Sequence, residues 1–426
     1  MTKTHKKPSP VQQKKLLTAH NRNEFFRRLE HLVTLISGNK ETFRLIPQQA
    51  LNSYFTCRIQ SLRTESAAGH SVDPKVLSVI KSIAHAMLRS ENVVVNEKGD
   101  MITLDEFLTV GLTLLLLTNR LEHSLAKNAA SFVTTIESML KDLDRPDSPL
   151  ETCQKTLSSI AIFESNMASC FYWTNLVFGD GHQGIIPTIY VLVKVYSHVQ
   201  KKTLFTIDGF TRPAVRVGWC NYPDGMIWCS CQSSALGLTQ KDPEDRLPVY
   251  IQMHALQRLT ERLDCVDPNI VTYFVFNSVN EEKIIKGMNE HYLIEFRYFG
   301  RKAGYLLAVI NHGKLVIRTF LFLTNNGTPE GRKLHLLTGI QKHDKKFLSL
   351  DRLSTFMDPE LRRNETIRRL FIDAGCGDLF EITKAQLYST DQIASHVTVK
   401  TMMEYLMLHP VDAEAPPDFS DARLPG

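Results

Sequence analysis

The sequence predicts an α+β protein: an all-helical N-terminal domain, an antiparallel β-meander domain with an inserted helix, and a helical C-terminal end. Three observations carry this expectation. Over residues 12–159 apolar side chains recur at steps of three and four, the period of a helix face. Beyond that stretch the texture changes to aromatic and β-branched residues broken by glycine and proline turns, the signature of short strands. After Arg332 the helical period returns and runs to about Leu408. The expected domains are therefore 1–148, 149–332 and 333–410. A tail, 411–426, rich in acids and proline, is expected to be disordered.

Each element has a local reason. Phe25, Phe26, Leu29, Leu32, Val33, Leu35 and Ile36 repeat at three and four and mark the first helix. Asp73-Pro74 suits the start of a second helix, through Met87, because proline fits the first helical position. Thr103 followed by Glu106 has the spacing of a capping box, ahead of a run of leucines ending at Leu117. The turn between them, Asn96 to Asp100, superficially resembles a calcium loop, but with Gly99 in sixth place the first ligand would be Val94, which has no carboxylate. Three aspartates and two prolines within 142–149 mark the domain boundary. Strands are expected at 171–178, 189–196, 203–207, 215–222 and 226–231, with a hairpin turn at Pro223-Asp224-Gly225. Three more are expected at 292–299, 305–310 and 315–323, with Asn311-His312-Gly313-Lys314 as the second turn. The two sheet regions are expected to form one domain, because the connection at 242–245 is short and neither sheet is large enough to bury its own face.

Composition bounds the function class. The chain is 43% apolar and 22% charged, and 50 basic against 45 acidic residues give a net charge of +5, too slight to demand a nucleic-acid partner. The distribution is less even: residues 1–30 hold eight basic and two acidic side chains, and residues 333–369 hold nine and five. No apolar core follows the basic start, so no secretory signal is expected. The greasiest run, Leu112 to Leu117, falls far short of the roughly 20 residues that span a bilayer. Eight scattered cysteines fit reduced thiols, and the expectation is a cytoplasmic protein with no membrane association.

Most chemical signatures give way to simpler readings. Gly179, Gly181 and Gly184 spell G-x-G-x-x-G, but a strand sequence follows where a dinucleotide site needs a helix N-terminus, so a glycine-rich turn is expected. Cys220, Cys229 and Cys231, with His254, lack the spacing of a known zinc knuckle, and no metal or other cofactor is expected. No G-x-S-x-G elbow and no phosphate-binding P-loop is present. What remains is the helix opened by Met253. Steps of four place His254, Arg258 and Arg262 on one stripe, while Leu256, Leu259 and Leu263 fall on another. Such a stripe can hold a polyanion, or it can be the solvated face of an amphipathic helix.

The opening His254-Ala255-x-x-Arg258-x-x-x-Arg262, followed by a meander with basic strands, resembles the RelE-type ribonuclease toxins, especially their BrnT-like branch. The likeness covers residues 247–332, about a fifth of the chain, and here the segment is embedded between helical regions whereas family members are small free-standing proteins. The resemblance implies metal-independent RNA cleavage in which a 2′-hydroxyl attacks the adjacent phosphate. It implies His254 as acid or base, Arg258, Arg262, Arg297 and Arg318 as phosphate-binding catalytic cations, and Arg301, Lys302 and Lys314 as further nucleic-acid contacts. Tyr298 would stack on a base. Strand alternation sends Arg297 and Tyr298 to opposite faces, so only one of them can serve a given site. The general base is not assigned. The implied partners are RNA or the ribosome, with the helical N-terminal domain taking up a protein inhibitor or another partner. The alternative expectation is a non-catalytic nucleic-acid-binding or scaffold protein.

Overall fold

A computed structural model describes residues 10–96, 98–115, 118, 148–183, 186–221, 224–238, 245–287 and 290–387. Residues 1–9, Leu116 and Leu117, the joint at 142–147, Gly184, Pro223, the connection at 242–244, the helical period beyond 387 and the acidic tail lie outside the described residues. The chain divides into two compact units. The first comprises Met1–Glu164, Tyr172–Ser197 and Asn221–Gly225; the second comprises Ser165–Phe171, His198–Cys220 and Met226–Gly426.

Helices dominate the first unit: α1 (Pro10–Ser37), α2 (Glu41–Arg44), α3 (Gln48–Thr56), α4 (Pro74–Ser90), α5 (Leu104–Glu106), which runs on into a π-turn, and α6 (Pro149–Glu164). Both predicted helix starts are capped, the second by the threonine half of the expected box. Asp73 accepts a hydrogen bond of 2.7 Å from Lys75 N at the start of α4, and Thr103 Oγ1 accepts one of 3.1 Å from Glu106 N at the start of α5. Ile80, Ala84 and Leu88 then bury one stripe of α4 at steps of four. Together with Leu29, Leu32, Leu112, Leu114 and Leu115 they form this unit's core, where each fully buried leucine or isoleucine stabilises by about 1.5–3 kcal/mol.

Strands also occur where only helices were expected. They are β1 (Gln60–Ser66), β2 (Asn92–Val94) and β3 (Met101–Thr103). In β1 the sequence Gln-Ser-Leu-Arg-Thr-Glu-Ser has a single apolar residue, so alternation could not announce it; its strand state comes from parallel pairing with a distant strand. That partner is β5 (Ile186–Val199), which together with β4 (Cys170–Gln183) gives a sheet of order β1-β5-β4. The calcium-like turn joins β2 to β3: Asn96 Oδ1 accepts from Lys98 N and Asp100 N at 3.1 Å, an Asx turn.

In the second unit the elements are β6 (Thr203–Ile207), β7 (Phe210–Arg216), β8 (Gly218–Asn221), β9 (Gly225–Trp228), β10 (Ser230–Gln232), β11 (Arg246–Gln252), α7 (Met253–Arg262), α8 (Pro268–Asn280), β12 (Ile284–Lys286), β13 (Tyr292–Tyr298), β14 (Arg301–Asn311) and β15 (Lys314–Phe322). Its main sheet runs β12-β13-β14-β15-β11-β7-β6, with β10 beside β11. The two sheet regions expected to share one domain are thus divided: β6, β7, β10 and β11 join the later meander, whereas most of β4 and β5 belongs to the first unit. Pairing is antiparallel except between β11 and β15, where Tyr250 lies opposite Val316. Three hairpin turns, Asp208-Gly209, Phe299-Gly300 and His312-Gly313, have positive φ at both central residues, the geometry that matches strand twist.

Helices α9 (Pro329–Thr338), α10 (Lys342–Phe347), α11 (Leu353–Phe356), α12 (Pro359–Arg363), α13 (Glu365–Asp373) and α14 (Asp378–Glu381) close the described chain. Polar clamps tie them to one another and to the segments that follow β15 and α7. The buried Lys345 ammonium donates to Thr324 O at 2.7 Å, to Gly331 O at 2.9 Å and to Asn326 Oδ1, so all three of its protons have acceptors. Asp264, just past α7, accepts from Ser354 N at 3.0 Å and from Ser354 Oγ at 2.7 Å.

Candidate nucleic-acid interface

Strand register decides which side chains share a face. Arg216 lies opposite Tyr250, Tyr250 opposite Val316 and Val316 opposite Val309, so these four point to the same side of the sheet. Two residues away in β7 comes Ala214, and two further Arg212, which lies opposite Phe205 in β6. Lys314 opens β15 on the same face as Val316. Phe205, Ile207, Ala214 and Val316 form a small buried cluster, against which the half-buried Tyr250 and Val309 pack. This side of β6, β7, β11 and β15 therefore carries an apolar patch bordered by basic side chains.

The contacts within the patch are between rings and cations. Phe205 and Tyr250 have centroids 5.1 Å apart, and Lys314 Nζ stands 5.4 Å from the first ring and 5.3 Å from the second. Arg216 Cζ lies 5.1 Å from the Trp228 ring, which in turn meets His198 at 5.4 Å. Among the described residues Arg212, Arg216 and Lys314 make no ion pair with a carboxylate. Arg216 Nε is buried with no acceptor.

Arg318 is the extra residue of a bulge in β15: Ile317 lies opposite Ala308 and Thr319 opposite Leu307. Its Nη1 lies 2.6 Å from Asp208 Oδ2, at the tip of the β6–β7 hairpin, yet that buried nitrogen lacks a properly angled hydrogen bond. The Asp208 side chain is 65% exposed, so water competes for the carboxylate and the pair is weak.

The other expected residues are dispersed. His254 sits in the first turn of α7, half-buried; burial, then the neighbouring Arg212 and Arg258, hold its pKa below the ordinary histidine value, with Glu261 opposing. Arg258 is paired at 2.7 Å with Glu261 on its own helix, and Arg262 is bound to Asp351. Arg297 donates to Glu295 at 2.7 Å and to Gly300 O at 2.9 Å, and borders a cleft of about 360 Å³ with Asn277, Asn280 and Glu281. Lys302 is bound at 2.6 Å to the buried Glu330, which also accepts from Tyr305 at 3.0 Å. Burial works against the Lys302 ammonium, but the hydrogen bond and charge of Glu330 outweigh it and raise its pKa. Arg301 is exposed beside the Phe299-Gly300 turn, and Tyr298 is fully buried, its hydroxyl donating to Gln386 O.

The structure thus joins His254 with Arg258 and Arg212, and sets Lys314 and Arg318 around the β6–β7 hairpin. Arg262, one turn beyond Arg258 on α7, is tied to Asp351; Lys302, with Arg297 and Arg301 beside it, and the Asn311–Lys314 pair stand at opposite ends of β14, about 30 Å apart at roughly 3.4 Å per residue. Sequence reasoning missed Phe205, Arg212, Arg216 and Tyr250. One signal was present, since Arg212 and Arg216 are four apart in a strand and so share a face. Cys229 Sγ is 3.2 Å from Asn280 Oδ1, and burial pushes the Cys220, Cys229 and Cys231 thiols up to about 12. No helix among the described residues is long and apolar enough to cross a membrane. No protein-family description, curated protein or solved structure matches this chain.

Proposed function

We propose that this protein binds single-stranded nucleic acid, RNA foremost, across β6, β7, β11 and β15 of its second unit. The observation that carries the reading is the buried Arg216 Nε, which has no hydrogen-bond acceptor, on the same sheet face as Arg318, held only by the exposed Asp208 carboxylate, and the Phe205–Tyr250 ring pair. An unsatisfied buried donor costs about 1–3 kcal/mol, which a phosphate oxygen would recover. Arginine forks and Lys314 suit the backbone, and the half-buried Tyr250 ring, backed by the buried Phe205, suits an unstacked base, the combination that binds single strands without reading sequence. A duplex offers phosphates but no free base faces, so the single strand is the better fit.

One observation favours a second reading, cleavage. His254 lies within electrostatic reach of Arg212 and Arg258, and burial keeps its imidazole neutral at pH 7. A neutral imidazole can take the 2′-hydroxyl proton while that oxygen attacks phosphorus, the 5′-oxygen leaves with a proton from an acid, and the two arginines stabilise the phosphorane. Metal-independent RNA cleavage of free or ribosome-bound RNA, and restraint by a partner on the helical unit, rest on this reading.

Fluorescence anisotropy with labelled single-stranded and duplex 12-mers tests the first reading, and denaturing gels of the same mixtures test the second. Saturable single-strand binding, weakened at least tenfold by Arg216→Gln with Lys314→Gln in a folded protein, is expected. Equal affinity for the variant sinks the proposed interface. New RNA ends that vanish in His254→Ala with Arg258→Ala establish cleavage; intact RNA under saturating protein leaves binding alone.

A further inference from the structure

The first unit contains a cavity of about 410 Å³, within the usual range for small-molecule pockets of about 300–1,000 Å³. Its walls divide into two kinds. Ile59, Leu62, Leu88, Leu108 and Val191 give an apolar side, and Arg28, Arg58, His85, Arg89 and Asp105 are among the polar lining. The polar side is not charge-balanced in detail. Arg28 donates to Thr109 Oγ1 at 3.0 Å and stands 3.7 Å from Asp105, and Glu24 is taken up by Arg27 at 2.7 Å. Arg58 has no such partner among the described residues: its guanidinium donates once, to Phe55 O at 2.5 Å, and lies 3.9 Å from the Phe55 ring centroid. Burial without a counter-charge holds its pKa below the ordinary arginine value. His85 Nδ1 is buried in the same lining with no hydrogen-bond partner.

A half-buried cation without an anion among the described residues and an idle imidazole nitrogen at the wall of a cavity with one apolar side are the complement of one anionic head on an apolar body. We propose that this cavity binds a small organic monoanion, a carboxylate or a phosphate monoester, with its head at Arg58 and His85 and its body against Leu62, Leu88 and Leu108. Arg89, exposed at the lining, adds attraction at the mouth.

Isothermal titration of the full chain with octanoate, phenyl phosphate, inorganic phosphate and the neutral octanol tests this. Saturable one-to-one binding of octanoate or phenyl phosphate is expected, at least tenfold weaker in Arg58→Gln and in His85→Ala and unchanged in Arg44→Gln, whose partner Glu41 lies outside the lining. Octanoate alone identifies a carboxylate head, and phenyl phosphate alone a phosphate head. Binding of inorganic phosphate or octanol alone, binding indifferent to both substitutions, or no binding by any probe overturns the proposal. Thermal unfolding checks each variant; should the variants not fold, the His85 ring resonances of the labelled wild-type protein decide, a shift at probe saturation supporting the site and its absence overturning it.

Discussion

Asp208 is the side chain best placed to compete with a bound phosphate. Its carboxylate lies 2.6 Å from Arg318, but it is 65% exposed and sits on a hairpin tip. Asp208→Asn should therefore change stability by less than about 1 kcal/mol, while removing the charge that a phosphate at Arg318 must displace. Single-strand affinity should rise several-fold, read by anisotropy; a fall would mean that Asp208 orients Arg318 for its ligand. His254 gives the same interface a pH signature. Burial, then Arg212 and Arg258, lower its pKa in the free protein, so at pH 7 it is neutral. A nearby phosphate raises that pKa, so binding takes up a proton and the affinity increases as pH falls through the interval between the bound and free values. His254→Ala should flatten the profile. A profile unchanged by the substitution would place the strand away from His254.

At the scale of elements, the β6–β7 hairpin matters most, because it carries both Phe205 and Arg212 and ends in Asp208. Gly209 has φ +80° with open space where a side chain would stand, so Gly209→Ala is strained by its backbone alone. A cost of about 1–2 kcal/mol is expected in urea unfolding, together with weaker single-strand binding as the hairpin loosens. Full affinity in that variant would remove the hairpin from the interface. The same element shows what the sequence could and could not disclose. Helix α7 and strands β13 to β15 were legible because apolar period and paired turn glycines, Gly300 and Gly313, act within a few residues. Strands β1 and β11 and helix α8 were not: β1 owes its state to β5, more than a hundred residues on, and β11 to a parallel partner, β15, beyond two helices. The interface was hidden for the same reason. The face shared by Arg216, Tyr250 and Val316 exists only through long-range register, whereas the stripe of His254, Arg258 and Arg262 was local and visible, and the structure ties Arg262 to Asp351 instead.

For the whole molecule, a net charge of +5 over 426 residues creates little long-range field, so nucleic-acid affinity must come from a few placed cations. Four stand around the proposed face: Arg212 and Arg216 in β7, Lys314 and Arg318 in β15. Each phosphate neutralised on a single strand contributes roughly 0.7 to the slope of log affinity against log salt. Four contacts therefore give a slope of about 3 in magnitude, and Lys314→Gln should lower it by about 0.7 without altering base preference. Arg58 lies in the first unit and outside this sheet, so Arg58→Gln should leave this slope unchanged. A wild-type slope of about 6 or more would mean that most phosphate contacts lie elsewhere, for instance on the basic residues of the first thirty positions, and the sheet face would lose its role as the main binding surface. A slope of about 3 that falls stepwise with each of the four substitutions assigns the affinity to this face, because only a contact released from its phosphate can shed its share of counterions.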